Sequence, residues 1–319
     1  MFQKRLLGTG GSRLGLSKDD KITVEHLLYG LLMVSGNDAA VALAEYIGGS
    51  IDEFSNLMNQ KAAFLGLSST HFTSPHGLDH DEHYTTAYEL ALITDYALKN
   101  DTFSKIVKTK NHTVNINGHP KELSNTNELL GYVDGVYGVK TGFTNGANRC
   151  LVSACNRNNI DIICIVLGCD TKKDRTSDSI KLINYIYNNF TLVNLKELLE
   201  NKFSIWKEEN INTFTINKGL DQVPNISLDE TQIPFDNIAL NKKKLDKIDI
   251  SFSYNSFFEA PLLENTCIGY ASIKISPTLE YRISLLNMKS IKRKNIYYYI
   301  KYLYKSFTFF DKNDILLNR

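Results

Sequence analysis

Two short triplets hold residue types from which an acyl-transfer site can be built. Ser35-Gly36-Asn37 offers a hydroxyl and a carboxamide, and Lys140-Thr141-Gly142 offers an ammonium, a second hydroxyl and a residue with no side chain. Chemistry at a carbonyl needs a hydroxyl that can carry a proton, donors for the oxyanion and a cation to hold an anionic substrate group. Taken singly, each triplet has a plainer explanation. Ser35-Gly36-Asn37 consists of turn formers that can simply break a helix, and Lys140-Thr141-Gly142 can be a solvated strand end.

A second cluster suggests metal binding. His76, His80 and His83 lie with Asp79, Asp81 and Glu82 in one stretch, and these are metal-ligating types. Gly77 interrupts the run, so it presents no helical His-x-x-x-His face, and a polar surface loop without metal or cofactor is expected. Cys150, Cys155, Cys164, Cys169 and Cys267 are odd in number and contain no Cys-x-x-Cys. That argues against a zinc knuckle or a complete disulfide framework, and four of them read as small core residues in apolar strand-like runs.

The elements that must position these groups follow from local patterns. Thr23 can cap a helix whose Val24, Leu27, Leu28, Leu31 and Leu32 share a stripe, and that helix stops at Ser35-Gly36-Asn37. A second helix runs from Asp38 to Ile47. Ser50-x-x-Glu53 and Thr86-x-x-Glu89 are capping boxes for two more, the first with Phe54, Leu57, Met58 and Leu65 inward and Gly66 as its stop. After about Lys108 the texture turns to strands. Asn117-Gly118 marks a tight hairpin, and Val136 to Thr141, Arg149 to Cys155 and Ile160 to Leu167 read as strands, the last two joined by Asn156 to Asn159. A helix from Ser177 to Phe190 closes a helix-and-sheet domain of about 190 residues. Short alternating runs from Phe203 to Met288 predict a small all-β module.

The tail differs again. Lys289, Lys292, Arg293, Lys294, Lys301 and Lys305 interleave with apolar residues, and Ile296, Ile300, Leu303, Phe307 and Phe310 fall on one helical face. This is the composition of a basic amphipathic membrane-surface anchor, with a helix docked on the β module as the alternative. With 319 residues, 43% hydrophobic, 22% charged and a formal net charge of +1, the chain can bury a substantial core and has no overall field to attract nucleic acid. Its first eleven residues lack the apolar run of a secretion signal, and nowhere do 18 apolar residues occur together.

The wider contexts of the triplets resemble the serine-type D-alanyl-D-alanine carboxypeptidases, the low-molecular-mass penicillin-binding proteins. The resemblance rests on Ser35-Gly36-Asn37-Asp38-Ala39-Ala40-Val41-Ala42-Leu43-Ala44-Glu45, on Phe72-Thr73-Ser74-Pro75-His76-Gly77-Leu78 and on His83-Tyr84-Thr85-Thr86-Ala87-Tyr88-Glu89. It rests also on Val133-Asp134-Gly135-Val136 leading into Lys140-Thr141-Gly142-Phe143-Thr144, and on Thr9-Gly10-Gly11-Ser12-Arg13 ahead of Ser35. S-x-N and K-T-G are the second and third elements of penicillin-recognising serine enzymes. The resemblance implies an α+β fold of the β-lactamase/transpeptidase type over residues 1–192, incomplete at its N-terminal end. A small β-sandwich-like domain over 203–288 and the anchor tail over 289–319 follow. It implies peptidoglycan stem peptides ending in D-Ala-D-Ala as substrate, β-lactams as ligands of the intact family, and the extracytoplasmic face of the membrane as location. By the same resemblance Ser35 relays protons to the leaving nitrogen, and Asn37 holds the substrate amide. Lys140 and Thr141 bind the terminal carboxylate, and Phe143 after Gly142 supplies an oxyanion N–H. Arg175 stands near the carboxylate pocket, with a surface arginine at a helix start as the alternative.

One family element has no match ahead of Ser35. The acylated serine and its lysine base form an S-x-x-K, yet Ser12 and Ser17 are followed three residues on by Gly15 and Asp20. The chain's single S-x-x-K, Ser204-Ile205-Trp206-Lys207, follows the K-T-G and falls in the β module, so it reads as chance. A chain lacking its nucleophile segment, and therefore inactive as it stands, is the expectation. A non-catalytic peptidoglycan-binding scaffold is the alternative. A class A β-lactamase is disfavoured, since no E-x-x-L-N occurs.

Overall fold

In the computed structural model the chain divides into two compact units, Met1–Asn189 and Phe190–Arg319. The described residues are 10–233 and 237–313, with side chains as far as Phe307. Thr9 of the resembling stretch and the Phe310 side chain of the tail's apolar face lie outside them.

Helix starts in the first unit are set locally. Thr23 caps α1 (Val24–Val34), Ser50 caps α3 (Ile51–Phe64) and Thr86 caps α4 (Ala87–Leu98), each side chain accepting from the N–H three residues on. Between them α2 (Asn37–Gly48) begins directly after Ser35-Gly36, with every residue from Asn37 to Ala44 buried. α1, α2 and the segment before them close a core around Leu14, Leu27, Met33 and Leu43, and Ile106 of α5 (Asp101–Lys108) joins it. The face expected to turn inward on α3 is only partly covered. Ser55 and Ala62 are its buried residues, and Leu57 is 44% exposed.

The strands follow in antiparallel pairs. β1 (Asn111–Ile116) folds back into β2 (His119–Ser124) through Asn117 and Gly118, both at positive φ, as the tight hairpin turn requires. β3 (Val136–Thr144), β4 (Asn148–Arg157) and β5 (Ile160–Cys169) form a sheet in that order. One face sets Leu151, Cys155, Cys164 and Val166 against Ile183 of α6 (Lys172–Asn189). The other sets Val139, Val152 and Ala154 against Val107 of α5. Helices therefore cover both faces of an antiparallel sheet, the α+β arrangement expected. α6 starts earlier than Ser177 and stops at Asn189, so Phe190 lies beyond it, in a strand.

The second unit needs a correction. After β6 (Phe190–Asn194), residues 195–210 form a helix, α7 (Leu195–Asn210), so the module is not all-β and does not begin at Phe203. Asn194 caps α7 by accepting from the Glu197 N–H, and Leu195, Leu199 and Phe203 recur at helical spacing and are buried. The remaining strands are β7 (Thr215–Asn217), β8 (Ile226–Leu228), β9 (Asn237–Asn241), β10 (Asp249–Tyr254), β11 (Phe257–Glu259), β12 (Cys267–Ser276) and β13 (Leu279–Asn287). They make an antiparallel sheet β10-β12-β13-β8, a β6-β9 pair and a short parallel β7-β11 pair. Alternate residues Ala271, Ile273, Ile283 and Leu285 form its core with α7. The tail becomes helical only at α8 (Ile296–Asn313), where Ile296, Ile300, Leu303 and Phe307 are all exposed. Among the described residues no helix is long and apolar enough to cross a membrane.

Candidate active site

α1 ends because Ser35 adopts a left-handed backbone, φ 55° and ψ 39°, with the N–H groups of Ser35 and Gly36 both closing on the Gly30 carbonyl. Such a conformation is uncommon for a residue with a side chain. Here the Ser35 hydroxyl accepts a hydrogen bond from Lys140 Nζ on β3. Lys140 also donates to the Thr141 carbonyl at 2.8 Å. Burial disfavours its ammonium, and the nearby Arg175 charge adds to the effect, so its pKa is pushed down to about 8. Thr141 Oγ1 lies 2.7 Å from Thr126 Oγ1, and the Thr126 N–H donates to the Met33 carbonyl at 3.0 Å. Ser35, Lys140, Thr141 and Thr126 thus join the end of α1 to β3 at one place.

Asn37 is bonded to the segment that precedes α1. Its Nδ2 donates to the Gly10 carbonyl at 2.6 Å, and its backbone N–H donates to the Ser12 carbonyl at 2.9 Å. Gly11 sits at φ +79°, and a Cβ there would stand 2.7 Å from Asn37 Nδ2, so this close approach requires glycine. Beside it Asp38 is fully buried and its carboxylate accepts from the N–H groups of Leu14, Gly15 and Leu16 at 2.7, 2.7 and 2.8 Å. Arg13 Nε lies 3.7 Å away. A carboxylate satisfied by three backbone donors is strongly held, and it fastens residues 13–16 to the start of α2.

Arg175 is no surface arginine. It lies in the first turn of α6, 4% exposed, and its guanidinium pairs with Glu128. Burial pushes the Glu128 carboxyl up, but the Thr176 hydroxyl and the Arg175 guanidinium bonded to it outweigh that and hold it below its ordinary value. Gly142 and Phe143 are exposed on β3 opposite Cys150 and Arg149, and the Arg149 guanidinium lies 3.7 Å from the Phe143 ring centroid.

The histidine stretch forms a loop held by its own polar groups. The Thr73 N–H donates to His83 Nδ1 at 3.1 Å, and the Leu78 N–H to His76 Nδ1 at 3.3 Å. Asp79 accepts from the Gly146 N–H at 3.0 Å, which places the loop beside the β3–β4 turn. Among the described residues no three His, Cys, Asp or Glu stand where they could hold a metal ion. Ser204 and Lys207 lie on α7 in the second unit, donating to the Glu200 and Ile226 carbonyls.

The structure therefore brings Ser35, Lys140 and Thr141 together, sets Asn37 next to them but turned to Gly10, and engages Arg175 with Glu128. Sequence reasoning missed Asp38 as an anchor, Thr126 as the partner of Thr141 and Glu128 as the partner of Arg175. Asp38 stood in the resembling stretch, but nothing in residue type marked the other two. Chemically, the Lys140 cation with the Ser35 and Thr141 hydroxyls beside it suits an anionic group, with Ser35 placed to exchange a proton with Lys140.

Comparisons with known proteins identify the family to which the first unit is similar. Residues 4–171 match the family model described as D-alanyl-D-alanine carboxypeptidase. The chain is 38% identical over 182 residues to the D-alanyl-D-alanine carboxypeptidase DacF of Bacillus subtilis, covering 57% of this chain and 47% of that protein. It thus spans about half the length of that curated relative. The crystal structure of DacD from Francisella tularensis matches with a TM-score of 0.64 at 25% identity, covering 92% of this chain and 81% of that one. Penicillin binding protein 5 from Haemophilus influenzae matches with a TM-score of 0.61 at 26% identity, covering 90% and 80%.

Proposed function

This chain belongs to the D-alanyl-D-alanine carboxypeptidase family, and from that membership we propose that its pocket binds peptidoglycan stem peptides ending in D-Ala-D-Ala. The observation that carries the reading is the hydrogen bond from Lys140 to Ser35, which unites S-x-N with K-T-G. The terminal carboxylate rests against the Lys140 ammonium and the Thr141 hydroxyl, with the Phe143 N–H available to the oxyanion. Ser35, fed by Lys140, returns a proton to the leaving amine. A lysine with a pKa near 8 is still charged at neutral pH and parts with its proton more readily than an exposed one. β-Lactams, whose carboxylate sits beside a strained amide, address the same groups.

The family's S-x-x-K does not occur ahead of Ser35, and the Ser204 hydroxyl is bonded into α7. Catalysis by these residues therefore requires a serine–lysine pair from outside the 319, and the chain by itself binds without turnover. A non-catalytic peptidoglycan-binding role is the second reading, favoured by the same observation. The exposed apolar face and lysines of α8 support attachment to an anionic membrane surface, and the extracytoplasmic side is proposed from the peptidoglycan substrate alone.

Labelling with a fluorescent penicillin, followed by denaturing electrophoresis and intact mass, tests the reading. No covalent adduct is expected on the 319-residue chain. Supplying the S-x-x-K segment should create one that Lys140→Ala abolishes. A stoichiometric adduct on the chain alone, or one indifferent to Lys140, would refute the assignment.

A further inference from the structure

A cavity of about 670 Å³ opens between the start of α6 and the loop that follows Thr126, and neither Ser35 nor Lys140 lines it. Its basic wall is Lys172, Lys173 and Lys181, its apolar wall Tyr132 and Ile180, and Glu128 and Thr176 form its inner side. Of the acidic groups around it, Glu128 is bonded through Oε1 alone by Arg175 and Thr176, Asp174 accepts from the Thr171 hydroxyl, and Asp178 pairs with Lys181 at 3.0 Å, which leaves Lys172 and Lys173 as the cations open to a ligand. Lys172 and Lys173 make no ion pair among the described residues. They stand in the first turn of an 18-residue helix, where the backbone dipole adds to their positive field. Tyr132 is 76% exposed at the cavity, a large ring left in water.

From these features we infer that the cavity is a binding site for an acidic peptide segment that carries carboxylates on either side of an aliphatic side chain. The carboxylates meet Lys172 and Lys173, and the aliphatic group lies between the Tyr132 ring and Ile180. Ligand sites generally combine an apolar wall with a few placed polar groups. A bare phosphate chain would use the lysines and leave the apolar wall in water. The inference goes beyond the proposed reading of the K-T-G pocket and does not depend on it.

The test uses the whole chain and a fluorescein-labelled Glu-Leu-Glu peptide with an amidated C-terminus, which has no free terminal carboxylate for Lys140. Binding is followed by fluorescence anisotropy. The pair Lys172→Glu with Lys173→Glu should weaken it about tenfold or more, as removal of rim charges and their reversal predicts. Tyr132→Ala should weaken it separately, while the remote pair Lys18→Glu with Lys21→Glu leaves it unchanged. Thermal melts of the variants establish that each is folded. Equal binding by the Lys172/Lys173 variant would overturn the inference, as would equal binding of a Gln-Leu-Gln probe or tighter binding of polyphosphate than of the peptide.

Discussion

Lys140 Nζ donates a hydrogen bond to Ser35 Oγ across 105 positions of sequence, joining the left-handed end of α1 to strand β3. The lysine is held at a pKa near 8 because burial, and then the Arg175 charge, disfavour its ammonium. Two pH dependences of opposite sign follow. Affinity for a peptide ending in D-Ala-D-Ala should fall as pH rises through about 8, since the clamp loses its charge, and Lys140→Arg should flatten that fall because guanidinium stays protonated. Stability should move the other way. Folding lowers this pKa from 10.5, so the unfolded chain holds more protons between about pH 8 and 10.5 and the folded state gains over that window. Calorimetric titration and thermal melts from pH 6.5 to 10.5 measure both.

Asp38→Ala should cost about 3 kcal/mol, because it leaves the buried N–H groups of Leu14 and Leu16 without their acceptor. Hydrogen exchange at residues 14–16 should accelerate more than exchange in β4. Urea melts and exchange mass spectrometry report the two effects, and unchanged exchange at 14–16 would contradict the anchoring role.

Glu128→Gln should leave the Arg175 guanidinium uncompensated. A buried pair broken on one side commonly loses about 3 kcal/mol, and the freed charge should drive the Lys140 pKa lower still. The affinity profile of Glu128→Gln should therefore turn over at a lower pH than that of the parent. An unmoved midpoint would separate Arg175 from Lys140 electrostatically.

Removal of residues 296–319, which keeps the buried Ile291 and its bridge to Leu262, should abolish binding to anionic liposomes, and added salt should weaken binding of the full chain. Each basic residue near such a surface contributes roughly 1 kcal/mol. Co-sedimentation with vesicles of graded anionic content measures this, and equal binding by both chains would rule out α8 as the attachment.

Legibility in the sequence followed the range of the forces involved. Thr23, Ser50 and Thr86 announced their helices because a cap bonds three residues away, and Asn117-Gly118 announced its turn because positive φ is a local requirement. α7 was equally legible in Asn194, Leu195, Leu199 and Phe203, but the short alternating segments read from Phe203 onward take in its C-terminal part. Phe190 continues the helical period of Ile183 and Ile186, yet it pairs with Asn241, a partner no local pattern names. The same limit applies to the site. S-x-N and K-T-G could be seen as types, whereas the seat of Asp38, the Thr126–Thr141 contact and the burial of Arg175 against Glu128 arise only once distant segments meet.

β5 pairs with β4 along one side, and among the described residues no strand pairs along its other side. Ten residues long, rich in isoleucine and carrying a single acid at Asp161, it offers a row of backbone donors and acceptors with high β-propensity and little charge to deter a newcomer. The expected outcome is self-association that grows with protein concentration, and Leu167→Lys, at a residue already exposed, should suppress it in sedimentation velocity.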